Sequence, residues 1–155
     1  MTVASLDLPL VRTARDFRTG IPSTSVRVGQ DTLAWAQHWL ILYPLWLGSM
    51  PALLKGFFEQ IRRPGFAFAA ARGRGLPRKL LAGRLARVVV TMGMPGIFDR
   101  WDYRQHSLKR LERNILAFLG VSPVRATVIG AVEAMRVASR QRWLRRRHHY
   151  GTHAR

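Results

Sequence analysis

Two short apolar runs constrain the fold of this chain more than any other feature. They are His38–Tyr43 (HWLILY) and Ala86–Met92 (ARVVVTM), and neither shows the regular alternation of apolar and polar residues. Runs of this kind are typical of strands buried on both faces, which occur in parallel sheets covered by helices. They therefore predict an α/β fold built on an open parallel sheet.

Segments with helical spacing of apolar residues separate these runs. The predicted elements are, in chain order, a strand at Thr2–Leu8, a loop at Pro9–Ser25, a helix at Val26–Ala36, the strand His38–Tyr43, a helix from Pro51 to Pro64, the strand Ala86–Met92, a helix around Leu108–Phe118, a strand at Arg125–Val132 and a helix at Glu133–Arg147. Because strands and helices alternate, ligands are expected beyond the carboxyl ends of the parallel strands.

The length of 155 residues fits one domain, which we place at residues 1–147 with a basic tail at 148–155. The net charge is +18, and it is concentrated in two blocks without any acid. Eight Lys or Arg residues lie between Gln60 and Phe98, and seven Arg residues follow Glu133. Such blocks either favour anionic partners or form a solvated basic surface. We expect no specific nucleic-acid binding, because no motif interleaves aromatic with basic residues.

The sequence predicts a cytoplasmic protein; the alternative is peripheral contact at the inner face of the membrane. No signal peptide is visible at the N-terminus, and there is no cysteine, which suits a reducing compartment. The most apolar stretch, Leu33–Leu54, is interrupted by Gln37, His38, Pro44 and Pro51. Those residues disfavour a membrane-spanning helix and favour a strand followed by a helix.

Two turns at predicted carboxyl ends of strands are candidate ligand contacts. The first, Tyr43–Gly48, carries Trp46, whose flat ring suits a planar heteroaromatic ligand. The second, Thr91–Pro95, carries Gly93, where backbone could approach a ligand closely. The alternatives are an ordinary core tryptophan and a plain transition from strand to loop.

Tyr103 and His106 follow the second turn and could exchange protons with a bound ring. The alternative for His106 is a local hydrogen bond at the start of a helix. We predict no metal site, because the histidines of the tail lack cysteine or carboxylate neighbours.

Several segments, in order, resemble the flavodoxin-like NAD(P)H dehydrogenase (quinone) family, which includes DT-diaphorase-like enzymes and ancillary oxidoreductases of glutathione-gated potassium efflux systems. The segments that carry the resemblance are Tyr43-Pro-Leu-Trp-Leu-Gly-Ser-Met-Pro-Ala-Leu-Leu-Lys-Gly-Phe-Phe-Glu-Gln, Arg63-Pro-Gly-Phe-Ala-Phe, Val90-Thr-Met-Gly-Met-Pro, His106-Ser-Leu-Lys-Arg-Leu-Glu-Arg-Asn-Ile-Leu and Phe118-Leu-Gly-Val.

The resemblance implies FMN or FAD as cofactor, NAD(P)H as co-substrate, a quinone or similar small acceptor, and a homodimer. The flavin ring would lie against Pro44, Leu45, Trp46 and Leu47 on one side and Thr91, Met92, Gly93 and Met94 on the other. Tyr103 and His106 would be the catalytic pair. Hydride would pass from NAD(P)H to the flavin, and two electrons would then pass to the quinone.

The chain departs from this family at its start. Members begin with a strand and a flavin-phosphate loop, whereas Met1 here falls at what resembles the second strand. The resemblance therefore implies a flavodoxin-like three-layer sandwich whose first strand and phosphate loop are missing. The alternative function is a non-catalytic ancillary subunit of a potassium-efflux system, which could contact the membrane transporter.

Overall fold

The computed structural model describes residues 1–69, 77–93 and 106–153. Its elements are a 3-10 helix (Val3–Ser5), α1 (Ala14–Thr19), α2 (Thr24–Trp35), β1 (His38–Pro44), α3 (Ala52–Ile61), β2 (Leu85–Thr91), α4, β3 (Val124–Ile129) and α5 (Val137–His153). Helix α4 joins three consecutive segments, His106–Arg110, Leu111–Leu116 and Ala117–Leu119, of which the middle one is a π-helix.

The sheet confirms the predicted parallel α/β architecture. Its three strands lie in the order β1-β2-β3, and both pairs are parallel. Trp39 of β1 is level with Ala86 of β2, which in turn is level with Val124 of β3. In the part of the chain that the structure describes, no strand pairs with the other edge of β1. Among the described residues that edge thus has no strand beside it, although β1 is as apolar as an interior strand.

One face of the sheet forms the main core. Alternate residues point to the same face of a strand, so Trp39, Val88 and Val90 share this face. They belong to one buried cluster with Phe58 of α3 and Leu111 of α4. Helices α3 and α4 thus bury their apolar sides here, because their apolar residues recur every three or four positions.

Helix α5 packs on the opposite face. Arg87 alternates with Val88 along β2 and therefore points away from the main core. Its guanidinium lies 4.1 Å from the centre of the Tyr150 ring of α5 and donates a hydrogen bond of 3.1 Å to Oγ1 of Thr127. The sheet is thus the middle of three layers, as predicted.

The prediction for the start of the chain is wrong in two places. The predicted strand Thr2–Leu8 contains a short 3-10 helix, Val3–Ser5, and no strand, and the N–H and hydroxyl of Ser5 both donate to the Thr2 carbonyl. A strand needs a neighbour for its backbone groups, and the described residues offer none there. The predicted loop at Pro9–Ser25 contains α1, which begins with a capping box in which Thr13 and Asp16 each accept from the other's N–H.

A buried polar cluster fastens this N-terminal segment to α3. The side chain of Arg63 is buried, and it donates to the Gln60 side chain at 2.7 Å and to the carbonyls of Asp16 and Gly20 at 2.6 and 2.8 Å. The Gln60 amide in turn donates to the Pro9 carbonyl. Because a buried guanidinium is costly unless it is hydrogen-bonded, these contacts stabilise one position for the segment.

Helix α5 begins at Val137, later than predicted, and continues to His153, so it includes most of the predicted basic tail. Within this part of the helix, Tyr150 lies against Arg87 of the sheet. The domain boundary at residue 147 stays a prediction. Among the helices of the described residues, none is both long and apolar enough to cross a membrane.

Candidate functional site

The carboxyl ends of the three strands form one rim. Pro44 is level with Thr91, which is level with Ile129. Beyond the strands, the Leu45 N–H donates to the Thr91 carbonyl at 2.7 Å, and the Met92 N–H donates to the Ile129 carbonyl at 3.0 Å. The two turns singled out in the sequence therefore begin side by side on adjacent strands.

The first turn is closed by two hydrogen bonds between Trp46 and Ser49, each 2.9 Å long. The two central residues, Leu47 and Gly48, have φ angles of 49° and 71°. Positive φ at both central residues is the signature of a type I′ turn. The amides of Leu45 and Trp46 are used inside the protein. Those of Leu47 and Gly48 have no backbone acceptor among the described residues.

Two side chains of this turn face solvent. Trp46 is 62% exposed and Leu47 is fully exposed, which rules out the alternative that Trp46 is an ordinary core tryptophan. Left-handed backbone is also unfavourable for leucine, because its Cβ crowds the following carbonyl. An exposed apolar side chain on strained backbone gains nothing from the protein's own packing, so this turn is a candidate contact surface.

A second strained residue lies at the same rim. Ala131, two residues after β3, has a φ of 51°, and it and Leu47 are the non-glycine residues with positive φ in the described part of the chain. Such residues tend to cluster at functional sites, where the surrounding structure holds them in place. Both follow strand ends, which agrees with a site at this edge of the sheet.

The second turn differs from the first in what it exposes. Met92 is buried, and both its N–H and its carbonyl are bonded, to Ile129 and Val132 respectively. Met92 therefore holds the loop after β3 in place, and Gly93, which is exposed, presents the surface. A Cβ added at Gly93 would lie 3.4 Å from Oε1 of Glu133, so the Glu133 carboxylate lies beside this glycine.

Glu133 is a rim residue that sequence reasoning missed. Its position follows from the left-handed Ala131 and from Arg140, whose guanidinium donates to the carbonyls of Val132 and Glu133 at 3.3 and 3.0 Å. The sequence carried a weak signal for it, since Glu133 is the last acid before an uninterrupted basic stretch.

An apolar groove of about 580 Å³ is lined by β1 along its length and reaches the rim at Pro44 and Trp46. It also touches the N-terminal residues 1–4 and the helices α2 and α3, from which Leu33, Leu54 and Phe57 contribute to its lining. Ligand pockets in proteins commonly fall between about 300 and 1,000 Å³. The groove can therefore take part of a planar aromatic ligand.

His38, at the opposite end of β1, also lines this groove. Its Nε2 is buried and has no hydrogen-bond partner among the described residues. Burial lowers the pKa of His38 below its ordinary value, and the positive charge of Arg87 lowers it further. The groove therefore holds a neutral imidazole near neutral pH and stays apolar in character.

The structure brings together most of the predicted cofactor residues. Pro44, Leu45, Trp46, Leu47, Thr91, Met92 and Gly93 all lie on this one rim. Met94 and Tyr103 lie outside the described residues, as does the side chain of His106. The catalytic roles of Tyr103 and His106 thus stay predictions. In the described ranges, no three His, Asp or Glu side chains are grouped as a metal would need.

The chain is similar to several known proteins. Residues 2–149 match the family described as having a flavodoxin-like fold. An FMN-dependent NADH:quinone oxidoreductase of Nitratidesulfovibrio vulgaris is 30% identical over 61% of this chain and 44% of its own length. The glutathione-regulated potassium-efflux system ancillary protein KefG of Cronobacter sakazakii is 30% identical over 70% of this chain and 57% of its own length. The chain thus spans about half the length of these curated relatives.

Solved structures show the same fold. Smu.1420 from Streptococcus mutans superposes with a TM-score of 0.69 at 26% identity, covering 92% of this chain and 74% of that one. An NAD(P)H:quinone oxidoreductase from Methanothermobacter marburgensis superposes with a TM-score of 0.64 at 23% identity, covering 86% of this chain and 64% of that one. From the match over nearly its whole length, the chain belongs to the flavodoxin-like fold family that includes the quinone reductases.

Proposed function

We propose that this chain is a flavin-dependent NAD(P)H:quinone oxidoreductase. The observation that carries the proposal is the solvent-exposed Trp46 on its strained turn, one strand away from Gly93 at the carboxyl rim of a parallel sheet. Ligands of open α/β sheets bind at this rim. A relative named as an FMN-dependent NADH:quinone oxidoreductase supports the choice of flavin and of quinone.

The residues at the rim fit a flavin ring. Trp46 offers an exposed aromatic face for stacking, and the amides of Leu47 and Gly48 can donate to ring carbonyls. Pro44 and Trp46 open onto the apolar groove, which can exclude water from one side of the ring. When bound, the flavin supplies the redox chemistry, accepting a hydride from NAD(P)H and passing two electrons to a quinone.

The chain's own residues position the ring and tune its surroundings. The Leu47 side chain extends the apolar surface beyond Trp46, and exposed Gly93 lets backbone come close from the neighbouring strand. The Glu133 carboxylate beside Gly93 places a negative charge at that side. Tyr103 and His106, by the family resemblance, would donate a proton or stabilise charge that develops on the acceptor.

Titration with FMN and with FAD, followed by quenching of flavin fluorescence, tests this proposal. W46A is expected to weaken binding roughly two- to tenfold, the range that an aromatic stacking contact contributes. The matched control is W35A, since Trp35 is 85% exposed at the end of α2 and does not line the groove. NAD(P)H oxidation with a soluble quinone then measures activity. Equal affinities for both variants, or no flavin binding at all, would contradict the proposal.

The second candidate is a non-catalytic ancillary subunit of a potassium-efflux system. The 30% identity to a KefG protein over 70% of this chain favours it. A protein that binds neither FMN nor FAD, but co-purifies with a potassium-efflux transporter expressed beside it, would support this candidate. Homodimer formation and a cytoplasmic location belong to both proposals, and sedimentation and cell fractionation test them.

A further inference from the structure

The apolar groove touches every residue of β1, from His38 to Pro44. Successive side chains of a strand point to opposite faces of the sheet, so a groove confined to one face would meet only every second side chain. The groove therefore extends along an edge of β1. Strand β2 pairs with one edge, and the groove lies along the other, which we call the outer edge.

Backbone groups of β1 point towards this outer edge. Two bonds flank the ladder between β1 and β2, from the Leu85 N–H to the Gln37 carbonyl at 3.0 Å and from the Leu45 N–H to the Thr91 carbonyl at 2.7 Å. In a parallel ladder only alternate residues bond to one neighbour, so these bonds assign the odd-numbered residues of β1 to β2. The N–H and carbonyl groups of Leu40 and Leu42 then point to the outer edge, where no strand of the described ranges pairs with them.

The walls of the groove are apolar and stand on one face of the sheet. They come from residues 1–4, α2 and α3, and their side chains Leu33 and Leu54 pack against the main core. Among the described residues, no acid, lysine or arginine lines the groove. Burial holds the pKa of His38 below its ordinary value, so its imidazole is neutral there near neutral pH. A matching occupant is therefore uncharged and apolar.

The backbone groups narrow the choice of occupant to an extended peptide. A ligand that displaces water from the outer edge must replace the hydrogen bonds of the Leu40 and Leu42 backbone, because buried N–H and C=O groups are costly when they are unpaired. Another strand offers donors and acceptors at the same spacing, whereas a hydrocarbon chain offers none. One row of its side chains would lie under the apolar walls, since side chains of a strand alternate.

The walls also disfavour a second copy of this chain as the occupant. A copy that paired through its own β1 about a two-fold axis normal to the sheet would bring its residues 1–4, α2 and α3 to the same face. Both sets of walls would then compete for the space above the joined edges. A single strand without covering helices fits this space better.

We propose that the outer edge of β1 binds an uncharged, apolar peptide segment of another protein as an added β-strand. β1 has seven residues and is about 23 Å long, so a segment of about seven residues would cover it. Valine and isoleucine suit such a segment, because they favour strands. The inference does not depend on flavin binding, since the peptide and the proposed flavin use different residues of the groove and rim.

Fluorescence anisotropy with a labelled peptide tests this proposal. The probe is Lys-Lys-Val-Ile-Val-Val-Ile-Val-Lys-Lys, whose terminal lysines are repelled by a chain with a net charge of +18, so binding cannot be electrostatic attraction. The control peptide has proline in place of both central valines, which keeps it apolar and removes two N–H donors. The probe is expected to bind roughly tenfold more tightly than the control peptide, as the loss of two hydrogen bonds implies.

L42P tests the hydrogen bonds from the side of the protein. It removes an N–H that points to the outer edge and keeps the bonds between β1 and β2, so it is expected to weaken binding of the probe roughly two- to tenfold. The matched control is A126P. By the same alternation, Ala126 of β3 points away from β2, and it is exposed and does not line the groove. A126P is expected to bind the probe like the wild type, and circular dichroism checks the fold of both variants.

L53K tests the apolar wall and decides the matter even where L42P does not fold. Leu53 is 40% exposed and lines the groove, so a charge there is tolerated by the fold and is expected to weaken binding several-fold. Its control, L144K, adds the same charge at a 56% exposed leucine outside the groove.

Three results would overturn the proposal. Equal binding of the probe and the proline peptide would identify a groove for any apolar ligand. Equal affinities of L53K and L144K would place the peptide elsewhere. A wild-type dimer in sedimentation equilibrium that L53K dissociates, together with no binding of the probe, would identify a second copy as the occupant.

Discussion

Replacing Leu47 by asparagine tests whether the first turn stores backbone strain. Leu47 has a φ of 49° and its side chain is fully exposed, so the substitution loses no buried apolar area. A left-handed conformation costs an L-residue roughly 1–2 kcal/mol, whereas asparagine adopts it readily by bonding its own backbone. We therefore expect L47N to raise the free energy of unfolding by about 1 kcal/mol. For a chain of this size, that corresponds to an increase in Tm of about 2–4 °C.

Urea unfolding followed by circular dichroism and by tryptophan fluorescence measures this change, and coincident transitions establish two-state behaviour. The matched control is L10N. Leu10 is 68% exposed and does not have a positive φ, so the same chemical change should give no gain. An unchanged or lower unfolding free energy for L47N would refute the argument that the turn is strained. A gain of equal size in L10N would show that the effect is unrelated to φ.

Two further predictions concern the core and the groove. G29A is expected to lower the unfolding free energy by about 1–3 kcal/mol, because its Cβ would lie 2.7 Å from the Phe57 ring. The control G151A, whose Cβ would have no atom within 4 Å, should raise the unfolding free energy by about 0.5–1 kcal/mol. Urea unfolding measures both changes. His38 has a lowered pKa in the folded protein, so below about pH 6.5 the unfolded chain binds more protons and stability falls with decreasing pH. H38Q should reduce this dependence of the unfolding free energy on pH, measured on both sides of about pH 6.5. An unchanged dependence would show that other groups cause it.

Much of the fold could be predicted from local sequence. The two apolar runs identified β1 and β2, because a strand covered on both faces must be apolar at nearly every position. The start of the chain could not be read this way. Thr2–Leu8 has the composition of a strand, but strand formation depends on a pairing partner elsewhere in the molecule. The capping box at Thr13 and Asp16 was a local signal that the sequence reasoning overlooked.

The candidate site, like the fold, could be predicted from the sequence only in part. The position of Trp46 after β1 and of Gly93 after β2 placed both at the carboxyl rim, since parallel strands end at a common edge. Exposure of Trp46, the left-handed backbone of Leu47 and the approach of Glu133 to Gly93 depend on how distant segments pack. No periodicity or spacing encodes those features.

The sequence by itself determined the layered α/β class, the parallel direction of the strands and the common edge at which Trp46 and Gly93 lie. These follow from short-range apolar patterns, which the chain must satisfy wherever its segments lie. The tertiary structure alone decided which face of α5 turns outward and which turn residues reach solvent. Both features depend on contacts between residues far apart in the chain, such as the contact between Arg87 and Tyr150. Local sequence patterns carry no information about the energies of these contacts.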